Sequence, residues 1–226
     1  MRGREPTRCA QPGGSPERAS PAHAAAPQHG FGQLVRPADW RQLPAPVQAR
    51  FERELAPGES AAFVGEVAET RMTAFGWLWA QLARLFGAPL PLKALSRAPA
   101  AVVVTQDARE PMQSWTRLYH EQGKRPQVIC STKRFAGPTG LEECVGAGIG
   151  MALAVGVESR ALVFRSTEYF WRGGRLRLRI PDWLTPGRIA VIHREERAGR
   201  FSFTLLVTHP WFGEMIRQVA FFRDAC

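Results

Sequence analysis

Lysine is nearly missing from this chain. Only Lys93, Lys124 and Lys133 stand among its 30 basic residues, so 30 less these three leaves 27 arginines in 226 positions. With alanine, proline and glycine also abundant, this is the residue bias of a GC-rich coding sequence. The arginines are spread along the chain, with no cluster of the kind that follows a phosphate backbone. The formal charge of +10 therefore argues solubility before it argues a nucleic-acid partner. Cysteine is scarce as well. Cys9, Cys130, Cys144 and Cys226 contain no C-x-x-C pair, which removes the common metal-knuckle and redox spacings and leaves a reduced chain as the expectation. On their strands, Cys130 and Cys144 read as small buried hydrophobes. No run of 18 apolar residues is present, and the arginines of the N-terminus precede no apolar signal core, so a cytoplasmic protein, at most peripheral to a membrane, is expected. A G-x-G-x-x-G loop and a nucleophile elbow are both absent.

What is present is alternation. From Leu141 to Phe222 the chain reads as strand after strand. Ile149, Met151, Leu153, Val155 and Val157 alternate with small residues, Leu176, Leu178 and Ile180 with arginines, and Phe201, Phe203, Leu205 and Val207 with Ser202, Thr204, Leu206 and Thr208. A period of two is the mark of a sheet whose faces meet different surroundings. Upstream, 62–72, 100–106, 112–120 and 127–135 read as further strands, with glycine- and proline-rich turns between. The fold expected is mainly β (α+β). An antiparallel meander of about 9–11 strands closes into a barrel or half-barrel, with two early helices, one packing on or capping the sheet.

Residues 1–36 are rich in Pro, Ala, Gly, Ser and Arg and hold too little bulky apolar surface to offset ordering, so a disordered extension is expected, followed by a single β-rich domain over 37–226. The first helix is expected over 47–55, closed by Pro57-Gly58. The second opens at Thr73, an N-cap residue type, and places Phe75, Leu78, Trp79, Leu82, Leu85 and Phe86 at helical spacing before Gly87 stops it. It reads as a cover over the sheet, or as a lid or membrane-docking helix with Trp77 and Arg84 at the water boundary.

Several blocks in order carry a resemblance. They are Leu43-Pro44-Ala45-Pro46-Val47 with Phe51, Phe63-Val64-Gly65-Glu66-Val67, the helix end Leu85-Phe86-Gly87-Ala88-Pro89, Trp183-Leu184 before Pro186-Gly187, His193-Arg194-Glu195, Gly199-Arg200-Phe201-Ser202-Phe203 and Pro210-Trp211-Phe212-Gly213. Together they resemble a bacterial domain family catalogued as a domain of unknown function, number 4166, over roughly Trp40 to Phe222. Its members occur alone or behind a saccharopine-dehydrogenase-like domain, so the resemblance implies a dehydrogenase-like partner protein. It transfers no catalytic residue and no cofactor.

Chemistry-bearing residues are few. His193 and Glu195 share a strand face that continues into Phe201 and Phe203 of the next strand, which sets an imidazole and a carboxylate beside aromatics, as a structural pair or a ligand contact. Consecutive Glu142 and Glu143 point to opposite faces and cannot form a dyad. Arg175, Arg177 and Arg179 form a stripe, read as a solvated face or as an anion site. Gly150, Ala152 and Ala154 make one face of a strand small, leaving room for the helix of Phe75, Leu78, Trp79 and Leu82 or for a ligand. No metal-ligand spacing is found and no cofactor is expected. These readings point to a non-enzymatic domain that binds a hydrophobic small molecule or lipid in a barrel cavity. An accessory domain docking onto a dehydrogenase-like redox enzyme is the alternative.

Overall fold

The computed structural model describes residues 30–225 apart from positions 88, 89, 122, 175 and 198. Eleven strands build it: β1 (Ser60–Met72), β2 (Ser96–Gln106), β3 (Met112–Tyr119), β4 (Gln127–Arg134), β5 (Glu142–Gly146), β6 (Ile149–Glu158), β7 (Ala161–Gly173), β8 (Leu176–Ile180), β9 (Arg188–Arg197), β10 (Arg200–His209) and β11 (Gly213–Asp224). Neighbours are antiparallel, and β6 pairs with β7 while β1 pairs with β11. The result is a closed barrel of ten strands, with β8 hydrogen-bonded only to the outer part of β7. Closure removes the sheet edges that a half-barrel would leave bare.

Three short helices accompany it, α1 (Pro37–Trp40), α2 (Ala45–Glu52) and α3 (Ala74–Ala83). Pro46 in the first turn of α2 sits where the missing N–H costs nothing. Val47 and Phe51, four apart, turn into the core. Trp40 donates its indole N–H to Glu52 at 2.7 Å, tying α1 to α2. The packed part of the chain starts earlier than expected. Within the extension expected over 1–36, Phe31–Leu34 form a 3-10 turn, and Phe31 is buried edge-on against Phe51, Phe135 and Phe164. One bulky aromatic outweighs the surrounding Gly and Pro. The rest of the proposed extension lies outside the described residues.

Helix α3 opens as expected, the Thr73 hydroxyl accepting from the Gly76 N–H at 3.1 Å. Its orientation differs from the expected one. The side laid on β11 is Gly76 and Ala80, while Phe75, Trp77, Leu78 and Leu82 are exposed and Trp79 is half-buried. Backbone proximity decides this, because a β-carbon at position 76 would overlap the Met215 carbonyl oxygen. Gly65 plays the same part between β1 and β11, where a β-carbon would overlap the Phe221 carbonyl oxygen. The two ends of the barrel are therefore unlike. One carries α2, and the other carries α3 together with the turns after β3, β5, β7 and β10.

Candidate functional site

The interior is not packed solid. A cavity of about 560 Å³ opens at the α2 end, walled by Phe51 and Leu55, by Phe63 of β1, by Trp115 of β3 and by Phe203 of β10. Beneath it lies a second cavity of about 110 Å³ that shares Trp115 and Phe203 with the first. The period of two supplies its lining. Trp115, Arg117 and Tyr119 face inward from β3, Ser131 and Lys133 from β4, and Glu143 from β5.

These polar side chains form one network. Glu143 accepts from the Ser131 hydroxyl at 2.5 Å, lies 3.1 Å from the Lys133 ammonium and 3.4 Å from the Arg117 guanidinium. Arg117 also donates to Ser131 at 3.0 Å. The Lys133 ammonium rests 4.2 Å from the centre of the Trp115 ring, a cation–π contact strengthened by burial. Burial pushes the Lys133 ammonium down to about 8 against the attraction of Glu143. Burial alone would raise Glu143, but the Lys133 and Arg117 cations and the Ser131 hydroxyl reverse this and hold it down to about 2. Two cations thus face one carboxylate. The Trp115 indole N–H, buried and lining both cavities, has no acceptor among the described residues. A buried donor without a partner is costly and calls for an acceptor from elsewhere.

A second cluster joins α2 to the wall. Arg50 places one nitrogen 3.0 Å from His193 Nε2 and 3.2 Å from Glu195, and stacks its guanidinium 3.8 Å from the Phe201 ring centre. A guanidinium only donates, so Nε2 accepts and the ring proton sits on Nδ1, which has no partner among the described residues. Burial and the adjacent Arg50 hold His193 well below its ordinary value. The neutral imidazole, its Nε2 engaged by Arg50, ties α2 to β9.

The residues singled out from the sequence fall into separate places. His193, Glu195, Phe201 and Phe203 are brought together by the β9–β10 register, Phe203 opposite His193 and Phe201 opposite Glu195. Among them Phe203 lines the cavities. Gly150, Ala152 and Ala154 do not. Met151 and Leu153 face the inner cavity, so the small face of β6 points outward, where the Phe170 ring lies against Gly150. Phe75, Leu78, Trp79 and Leu82 line neither cavity, since α3 sits at the far end and turns its bulky side away. Arg177 is ion-paired with fully buried Glu142 and with Glu168 and covers Phe170, and Arg179 is exposed and pairs with Asp182. Arg175 lies outside the described residues.

The interior network escaped the sequence reading. Glu142 and Glu143 do face opposite ways, one outside to Arg134 and Arg172, one inside. That very alternation requires one of them to enter the barrel. Lys133, in phase with Ile129 and Ser131 on β4, was the available signal.

Compared with known families, the chain matches one described as "Domain of unknown function (DUF4166)" over residues 43–222. No curated protein and no solved structure matches it.

Proposed function

The chain belongs to the DUF4166 family, and from the barrel it forms we propose that it binds a hydrophobic small molecule or lipid that carries a single negatively charged head. The observation that carries this reading is the unfilled interior with a cationic floor. Aromatic walls at the α2 end suit an apolar body. Below them, Arg117 and Lys133 outnumber Glu143 by one charge, and the Trp115 N–H waits for an acceptor. A carboxylate or comparable oxyanion placed there would balance the charge and accept the indole N–H hydrogen bond in one contact.

The test is native mass spectrometry of the full chain purified without detergent, followed by titration with a fluorescent long-chain fatty acid and with its methyl ester. The acid is expected to bind at least about tenfold more tightly than the ester, as a charged hydrogen bond to a buried cation allows. Lys133→Met should remove that preference while leaving the ester's affinity in place. If neither probe binds and no extracted mass is found, the carrier reading falls.

A further inference from the structure

The end of the barrel remote from the mouth has an unusual surface. Apart from Val64, every large apolar side chain that the described residues leave exposed lies at this end. Helix α3 contributes Phe75, Trp77, Leu78 and Leu82, with Leu85 beyond it. Phe75 stacks on Phe212 at 4.1 Å, which joins the helix to the β10–β11 turn and to Trp211, more than three-quarters exposed. The 181–187 loop, bearing Trp183 and Leu184, leans on the same turn through Gly187 against Thr208 and His209. On the other side, Gly87 lies on the Val145–Gly146 backbone, and the Trp171 indole donates to Ala147 at 3.2 Å. Trp171 and Leu178 are directly opposite on β7 and β8. These contacts link the exposed apolar residues from α3 to the β10–β11 turn on one side and to β7 and β8 on the other, and no element of the described residues covers them.

The charges of this end are equally one-sided. Its carboxylates are taken up by neighbours: Glu69 by Arg71, Glu121 by Lys124, Asp182 by Arg179 and Glu214 by Arg217. Arg97 at the start of β2, Arg125 in the β3–β4 turn and Arg188 at the start of β9 are exposed, and none of the three has a carboxylate partner among the described residues. No helix of the described residues is long and apolar enough to cross a membrane. The helix that is present, α3, holds tryptophan and leucine outward and rests on the barrel through its smallest residues.

We propose that this end docks on the surface of an anionic lipid membrane, the exposed Trp, Phe and Leu side chains entering the headgroup boundary and Arg97, Arg125 and Arg188 meeting lipid phosphates. The chemistry fits a bilayer interface. Tryptophan is enriched there because its ring is apolar while its N–H seeks a polar partner. Basic side chains beside it add attraction that depends on the lipid charge. A flat protein partner would require neutralising acidic groups in register with three arginines spread around the rim. A membrane supplies negative charge everywhere. The inference stands whether or not the barrel takes a ligand, since no side chain of the docking surface lines either cavity.

The test is co-sedimentation of the full chain with vesicles of phosphatidylcholine alone and of an equal mixture with phosphatidylglycerol. Binding is expected to the mixed vesicles and to weaken with added salt. Arg97→Gln, Arg125→Gln and Arg188→Gln together should lower it about a hundredfold, and Trp77→Ser with Leu85→Ser about tenfold or more. All five positions are exposed, so circular dichroism should show every variant folded. Absence of binding to the mixed vesicles overturns the proposal, as does binding that these substitutions leave unchanged. A stable dimer that loses self-association in Trp77→Ser, with no lipid binding, would assign the surface to a second copy instead and overturn it too.

Discussion

Replacing Glu143 with glutamine tests whether the interior network is balanced as the distances indicate. The substitution keeps size and removes charge, leaving the buried Lys133 and the partly exposed Arg117 without their carboxylate. At 3.1 Å and an effective dielectric of 20, the lost Lys133 attraction is at most about 5 kcal/mol. Lysine can escape part of this by giving up its proton. In the wild type Lys133 titrates in the folded state at about 8, below its ordinary 10.5. The cost of burying its charge is then present below pH 8 and is relieved as pH rises from 8 towards 10.5, so stability rises through that window. Without Glu143 the folded value falls further and relief begins at lower pH. Between the two folded values the variant's deficit shrinks by about 1.4 kcal/mol per pH unit. Arg117, partly exposed, and the Ser131 hydrogen bond add about 1–2 kcal/mol that does not change with pH. The expected loss is about 4 kcal/mol at pH 6 and about 1–2 kcal/mol at pH 9, read from urea unfolding at each pH. Adding Lys133→Met should erase the difference between the two. Equal losses at both pH values, or no rescue by the second substitution, would refute the assignment of a charged, buried Lys133–Glu143 pair.

Two further outcomes follow from the same structure. His193 is held neutral in the fold, its folded value below its ordinary 6.5, so the stability it permits is present above that value and is lost as pH falls beneath it, by up to about 1.4 kcal/mol per unit. His193→Gln keeps an acceptor for Arg50 but cannot protonate there, and should flatten this acid limb in unfolding measured between pH 4 and 7. An unchanged slope would mean that the imidazole titrates freely. Gly65→Ala forces β1 and β11 apart where the Phe221 carbonyl oxygen occupies the β-carbon position, and should cost about 2–3 kcal/mol or more in thermal or urea unfolding. A neutral result would show that this crossing is loose.

How much was legible beforehand is seen best in β6 and α3. Alternation predicted a strand over 149–157, and the chain forms one at Ile149–Glu158. It could not say which face enters the barrel. The small face turned out to be the outer one, because Met151 and Leu153 are needed to wall the inner cavity. Helical spacing likewise located α3 and its Thr73 cap, but its burial was settled by backbone contact at Gly76. Arg50 and His193 meet across 143 positions, a contact that no local pattern encodes.

By itself the sequence determined most of the strands, the two longer helices, a barrel or half-barrel class and the family, since period, capping and turn chemistry act over a few neighbouring residues. Only the tertiary structure decided which face is inside, that β1 closes on β11, that Lys133 and Glu143 share an interior cavity, and that the bulkiest side of α3 is left bare. These depend on strand register and backbone proximity between distant parts of the chain, where one residue of slip would turn every side chain to the opposite face.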